Sequence, residues 1–171
     1  MPWKTGANSQ LGVPDINPAV IDDTARCPVG TIIKAYDDTQ GEGEFIYLPG
    51  VASLAKGDCV VYDLNPGAQA VVRTLSGTHL NTGRSVAFAM DAIVAGKYGW
   101  FQIGGVTIAS VLAAFAAGNK VFLTTTAGNV DDAAVNGCQI LGAISSSAIA
   151  TPLAGKAYLT INRPTLQSQI T

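Results

Sequence analysis

The residues able to do acid–base, nucleophilic or metal chemistry are few and scattered. His79 is the only histidine and sits in Ser76-Gly77-Thr78-His79-Leu80. Any Cys-His or Ser-His-Asp arrangement would have to run through it, yet its turn-forming neighbours place it in a polar surface loop. Cys27, Cys59 and Cys138 are odd in number and widely separated. With one histidine they offer neither a zinc spacing nor a disulfide framework, and they read as reduced thiols acting as small hydrophobes in a protein made in a cytoplasm. Gly41-Glu42-Gly43 imitates a GxG phosphate turn, but the glutamates would repel phosphate and no helix-forming stretch follows. Asp37, Asp38, Glu42 and Glu44 cluster as calcium ligands would, without the alternating-oxygen spacing of a calcium loop, and aspartate also simply makes turns. Glu42 and Glu44 are the only glutamates, and their place at a strand entry suits solvated edge charges better than a glycosidase pair. The sequence therefore predicts no catalytic residue, no metal site, no cofactor and no enzymatic activity.

The elements that would carry these residues are β-strands. From Gly30 onward, short runs of β-branched and aromatic residues alternate with turn residues. Strands are expected at Thr31–Tyr36, Glu44–Leu48, Cys59–Tyr62, Ala70–Arg73, Val86–Met90, Tyr98–Ile103, Val121–Leu123, Gln139–Ile144 and Ala157–Ile161. Such spacing predicts a mainly β domain over residues 29–171, an antiparallel sandwich or barrel of short strands. A weak internal repeat, about 51–105 and 112–162, lies beneath it. Val51-Ala52-Ser53-Leu54-Ala55-Lys56-Gly57-Asp58 aligns with Leu112-Ala113-Ala114-Phe115-Ala116-Ala117-Gly118-Asn119 at an offset of 61. Both place large apolar residues at i and i+3 before a glycine, as a single helical turn with a left-handed stop would. Ala95-Gly96-Lys97 recurs as Ala154-Gly155-Lys156 at 59, so a shared turn–strand–turn solution explains the pattern as well as duplication does.

Residues 1–28 differ. Pro2, Pro14, Pro18 and Pro28 interrupt any period, so the stretch reads as an extended arm. Trp3, Leu11, Ile16, Val20 and Ile21 give it apolar anchors suited to docking on a neighbour. In the body, Trp100 and Phe101 face opposite sides of their strand, one toward the core and the other toward an interface.

Composition narrows the class. Hydrophobic residues make up 48% and charged residues 13% of 171, against about 25% charged in an ordinary soluble domain. Mean hydropathy is +0.30. The longest apolar stretch, Val106 to Ala117, is too short for a membrane span, which needs about 20 residues. No basic segment precedes an apolar core at the start, so no secretory signal is expected. The net charge is −2 with ten basic residues spread singly, unlike the patches that neutralise phosphates in nucleic-acid binders. Neither nucleic acid nor membrane is an expected partner. What remains is a charge-poor chain whose surface other protein subunits cover.

Gly41-Glu42-Gly43-Glu44-Phe45-Ile46-Tyr47-Leu48-Pro49-Gly50-Val51-Ala52 resembles a stretch of tailed-phage head proteins. Ala95-Gly96-Lys97-Tyr98-Gly99-Trp100-Phe101-Gln102-Ile103-Gly104-Gly105-Val106 is similar to another stretch of the same group. The alanine-rich turn followed by Gly-Asp or Gly-Asn and a strand resembles capsid decoration, or cement, proteins. The resemblance covers roughly residues 29–162. It implies a β-rich homotrimer on the outer surface of a virion capsid, bound to the major capsid protein at local threefold positions and stabilising the shell. It brings no catalytic residues. Other readings are a tail or fibre component and a carbohydrate-binding β domain, for which Trp100 beside Gln102 is the only candidate site.

Overall fold

The computed structural model describes residues 4–5, 20–65, 68–73 and 83–167. Among the described residues eleven strands form one sheet: β1 (Lys4–Thr5), β2 (Ile32–Asp37), β3 (Gly41–Pro49), β4 (Cys59–Asn65), β5 (Ala68–Arg73), β6 (Ser85–Ala89), β7 (Tyr98–Ser110), β8 (Lys120–Leu123), β9 (Val130–Asp131), β10 (Gln139–Ser145) and β11 (Lys156–Leu166). Their order is β1-β2-β3-β7-β6-β11-β10-β8-β9, with β4 on β6 and β5 on β4. All these pairings are antiparallel. The protein is mainly β, and its sheet is not closed. It curls until distant strands share one core: Cys59 and Val61 of β4 pack with Val121, Leu123 and Ile140 of β8 and β10. A second core lies among Ile46, Leu48, Leu54, Phe101 and Ile103.

The single-turn helices expected at 51–58 and 112–119 do not form; each segment is a pair of tight turns. Leu54 and Phe115 are buried, as the apolar spacing requires. The residue before each, Ser53 and Ala114, has φ of 61° and 70°, which takes the chain out of the right-handed helical region. Gly57 and Gly118 follow, both at φ 82°. Three equivalent positions thus share the 61-residue offset read in the sequence.

The repeat extends through the sheet. Pro49↔Tyr98, Leu48↔Gly99 and Tyr47↔Trp100 join β3 to β7, and Ser110↔Lys156, Ala109↔Ala157 and Ile108↔Tyr158 join β7 to β11 in the same way. Phe88↔Gln102 and Ala89↔Phe101 correspond to Ile144↔Thr160 and Ser145↔Leu159. Gly57 N–H donates to Ala89 O at 2.7 Å, and Ala89 N–H returns a bond to Asp58 O at 2.9 Å. Gly118 N–H donates to Ser145 O at 2.9 Å, and Ser145 N–H returns to Asn119 O at 3.0 Å. Among the described residues, β3–β7 and β7–β11 therefore form two structurally equivalent halves of the sheet that follows β2, with β7 ending the first and opening the second.

Sharing one strand requires a change of face, and a bulge supplies it. Phe45 pairs with Gln102 but Glu44 with Gly104, so β7 carries one extra residue at this point. Phe88, the partner of Gln102, then lies in the same core as Ala109: an even position before the bulge and an odd one after it point the same way. Gly105, at φ +91°, sits in the kink; a Cβ there would lie 2.3 Å from Glu42 O.

Candidate protein-binding site

The acidic cluster disperses into local tasks. Asp37 Oδ1 accepts from the N–H groups of Thr39 and Gln40 at 2.8 and 3.0 Å, forming the turn between β2 and β3. Tyr36 OH donates to Asp38. Lys34 Nζ reaches Glu42 at 2.8 Å. Arg163 grips Glu44 with Nε and Nη2 at 2.8 and 2.6 Å, and this holds the Glu44 carboxyl below its ordinary range. The two ion pairs border a shallow groove of about 480 Å³ over Gly104 and Gly105, where the halves meet. Its charges face each other in opposite pairs, which leaves no net charge to attract a ligand of one sign. Among the described residues no three His, Cys, Asp or Glu side chains gather as metal ligands. No disulfide joins Cys27, Cys59 and Cys138, and burial pushes the Cys27 thiol up. His79 lies outside the described residues.

One polar cluster has no counterpart in the sequence reading. Ser110 Oγ donates to Asp58 Oδ1 at 2.9 Å, and Lys156 Nζ donates to Ser110 Oγ and to Lys56 O, both at 2.6 Å. Asp58 Oδ2 also accepts from Ala55 N–H at 3.1 Å. Burial pushes Lys156 down. A serine beside a lysine can form an acyl-transfer dyad when the lysine takes the serine proton. Here that proton points to Asp58 and Lys156 acts as the donor. The cluster is a clasp holding the turn before β4 to the last residue of β7 and the first of β11. Separations of 52 and 46 residues hid it from any spacing rule.

The aromatic candidates serve the chain itself. Trp100 and Phe101 do face opposite sides, but they are 3% and 0% exposed. The expectation that one of them meets a partner is corrected: two cores of the same chain enclose them. Phe101 lies with Ile46 and Leu48. Trp100 lies with Phe45 and Tyr47, the Tyr47 ring 5.0 Å away. Residues from Val20 onward lie close to this second group. Asp22 and Tyr98 exchange backbone hydrogen bonds, both 2.9 Å. Tyr47 OH donates to Asp22 Oδ2 at 2.8 Å and accepts from Arg26 N–H at 3.2 Å. Lys97 pairs with Asp23. Val20 is half-buried and Ile21 exposed; Trp3, Leu11 and Ile16 lie outside the described residues. Within the expected arm, β1 pairs with β2, and residues 22–28 are held against the first half of their own chain.

Burial lifts the Tyr47 phenol to about 12, the Arg26 N–H opposing and the Asp22 carboxylate adding to the shift. A raised pKa means that folding favours the neutral phenol. The stability it contributes is complete below pH 10.0, the ordinary value, and is lost as pH rises toward about 12. Denaturant titration is expected to show stability falling across that window. Tyr47→Phe should flatten the fall and cost about 0.5–1.5 kcal/mol at neutral pH for the lost hydrogen bonds. An unchanged alkaline slope in the variant would show that another group carries it.

The second half presents the equivalent face more openly. Val106, Ile108 and Tyr158 occupy the places of Phe45, Tyr47 and Trp100 and are only half-buried. Thr160 pairs with Val106 on one side and Ile144 on the other, so the face runs unbroken across β7, β11 and β10. Ile144 is 49% and Leu141 43% exposed. Both point outward because positive-φ Gly142 and a register shift interrupt the alternation between them. An antiparallel sheet with one wet face normally alternates apolar-in and polar-out, and here Val106, Leu141 and Ile144 take outer positions around the polar Thr160. Comparison with protein-family models, with curated proteins and with solved structures found no match. The outer face of the second half is thus the feature with the clearest functional content.

Proposed function

We propose that this chain is a non-enzymatic virion structural protein, a decoration protein that binds the outer surface of a phage head and stabilises it. Its partners in this reading are the major capsid protein and copies of itself in a homotrimer. The observation that carries the proposal is the apolar outer face of β7, β11 and β10, with Ile144 and Leu141 exposed in the interior of a sheet rather than at a frayed end. Low charge supports it, because charged groups left unpaired in a covered surface are costly. The likeness of residues 41–52 and 95–106 to head proteins gives the partner its class. A threefold assembly repeats each contact three times and turns modest contacts into avidity. The test is sedimentation with empty heads: the protein should pellet with them and raise the temperature at which they rupture. Protein left in the supernatant at micromolar concentrations, with heads no more heat-resistant, would refute the reading.

A further inference from the structure

We infer that Asn136-Gly137 is a self-modifying site, at which the folded chain converts Asn136 to aspartate and isoaspartate without an enzyme. The inference is independent of the proposed function. The chain contains no other Asn-Gly pair, and the structure places this one at the centre of a turn between β9 and β10. Cys138 N–H donates to Val135 O at 3.1 Å to close the turn, and Gly137 takes φ +71°, a left-handed value that suits glycine there. Asn136 is exposed, and nothing lies within 4 Å of a Cβ built on Gly137. Neither the Asn136 carboxamide nor the Gly137 N–H has a hydrogen-bond partner among the described residues. Asn119 differs, because its Nδ2 donates to Asp132 Oδ2 at 2.8 Å. Asn119, Asn129 and Asn162 are followed by Lys120, Val130 and Arg163, whose side chains crowd the approach of the backbone nitrogen.

Once solvent base takes the Gly137 amide proton, its nitrogen can attack Cγ of Asn136. The N–Cγ bond forms, the Cγ–Nδ2 bond breaks, and ammonia leaves with a proton from solvent. Water then opens the cyclic imide. Attack at Cγ gives aspartate, and attack at the backbone carbonyl gives isoaspartate, whose main chain runs through Cγ. Ammonia is lost for water taken up, and nothing is oxidised or reduced. Both products add a negative charge to the segment that already holds Asp131 and Asp132. Isoaspartate also lengthens the turn by one backbone atom. Cys138 O accepts from Leu123 N–H at 2.9 Å, and Gln139 pairs with Phe122, so the longer turn strains the pairing of β10 with β8.

The test is incubation of the folded full chain at physiological temperature and mildly alkaline pH, followed by peptide mapping with mass spectrometry. The peptide holding Asn136 should gain the mass of an acid in place of an amide and split into two chromatographic isomers. Only one of these should accept a methyl group from an isoaspartyl methyltransferase. Loss of the amide at 136 should run at least about tenfold faster than at Asn119 or Asn162, a barrier lower by about 1.4 kcal/mol. Gly137→Ala should slow it by a similar factor. If that variant misfolds, Asn136→Gln must remove both the acid product and the methyl acceptor. The separated isoaspartate form should melt below the aspartate form. An amide that persists at 136, or that is lost no faster than at Asn119 and Asn162, overturns the inference. So does a methyl acceptor that survives in Asn136→Gln. Equal melting of the two product forms would overturn the strain assigned to β8 and β10.

Discussion

Gly105→Ala is expected to lower the melting temperature by about 10 °C. Alanine at φ +91° carries the left-handed penalty, about 1–2 kcal/mol. Its Cβ would also lie 2.3 Å from Glu42 O and 3.1 Å from Gly43 Cα, so β3 or β7 must shift at the kink where the halves exchange faces. Overpacking of this kind costs about 1–3 kcal/mol more, and each kcal/mol is worth about 2–4 °C in a chain of this size. Gly118→Ala separates the two contributions. Its φ is +82°, and nothing lies within 4 Å of the added carbon, so only the conformational penalty remains and the loss should stay near 3–6 °C, by the same conversion of about 1–2 kcal/mol. Thermal melts of the two variants side by side decide the matter. Equal losses would mean that the close approach at Gly105 does not constrain the junction.

Leu54→Ala and Phe115→Ala should each destabilise strongly, by about 2–5 and 3–5 kcal/mol. They stand at the same place in the two halves, each buried directly after a positive-φ residue and three residues before a positive-φ glycine. They fill different cores, Leu54 with Ile46 and Phe101, Phe115 with Val121 and Ile140. Sites without shared partners add within about 0.5 kcal/mol. Denaturant unfolding of the two single variants and the double variant tests this. A large coupling energy would show that the two cores do not pack independently of each other. Full additivity with two resolved transitions would show that they also unfold separately.

Sequence alone determined the class of fold. β-branched and aromatic runs between turn residues impose a period of two whatever their partners, so Ile32–Asp37, Gly41–Pro49, Cys59–Asn65 and Gln139–Ser145 form near their expected places. It also showed the likeness of 51–58 to 112–119, where an apolar anchor and a glycine stop at the same offset meet one conformational demand. Its error there was local: spacing at i and i+3 suits a helical turn and two tight turns equally, and φ at Ser53 and Ala114 decides between them.

Tertiary structure decided the rest. Gly104-Gly105 reads as a strand end, yet β7 runs through it to Ser110, because β3 holds one half and β11 the other. Trp100 and Phe101 read as candidates for a partner, and two cores enclose them. The Asp58–Ser110–Lys156 clasp and the open face around Ile144 depend on pairings between residues tens of positions apart. Local preference acts over a few residues and sets which stretches become strands. Which face of a strand is covered depends on the strands and segments that arrive from elsewhere in the chain, and one bulge between Gln102 and Gly104 is enough to exchange the two faces of β7.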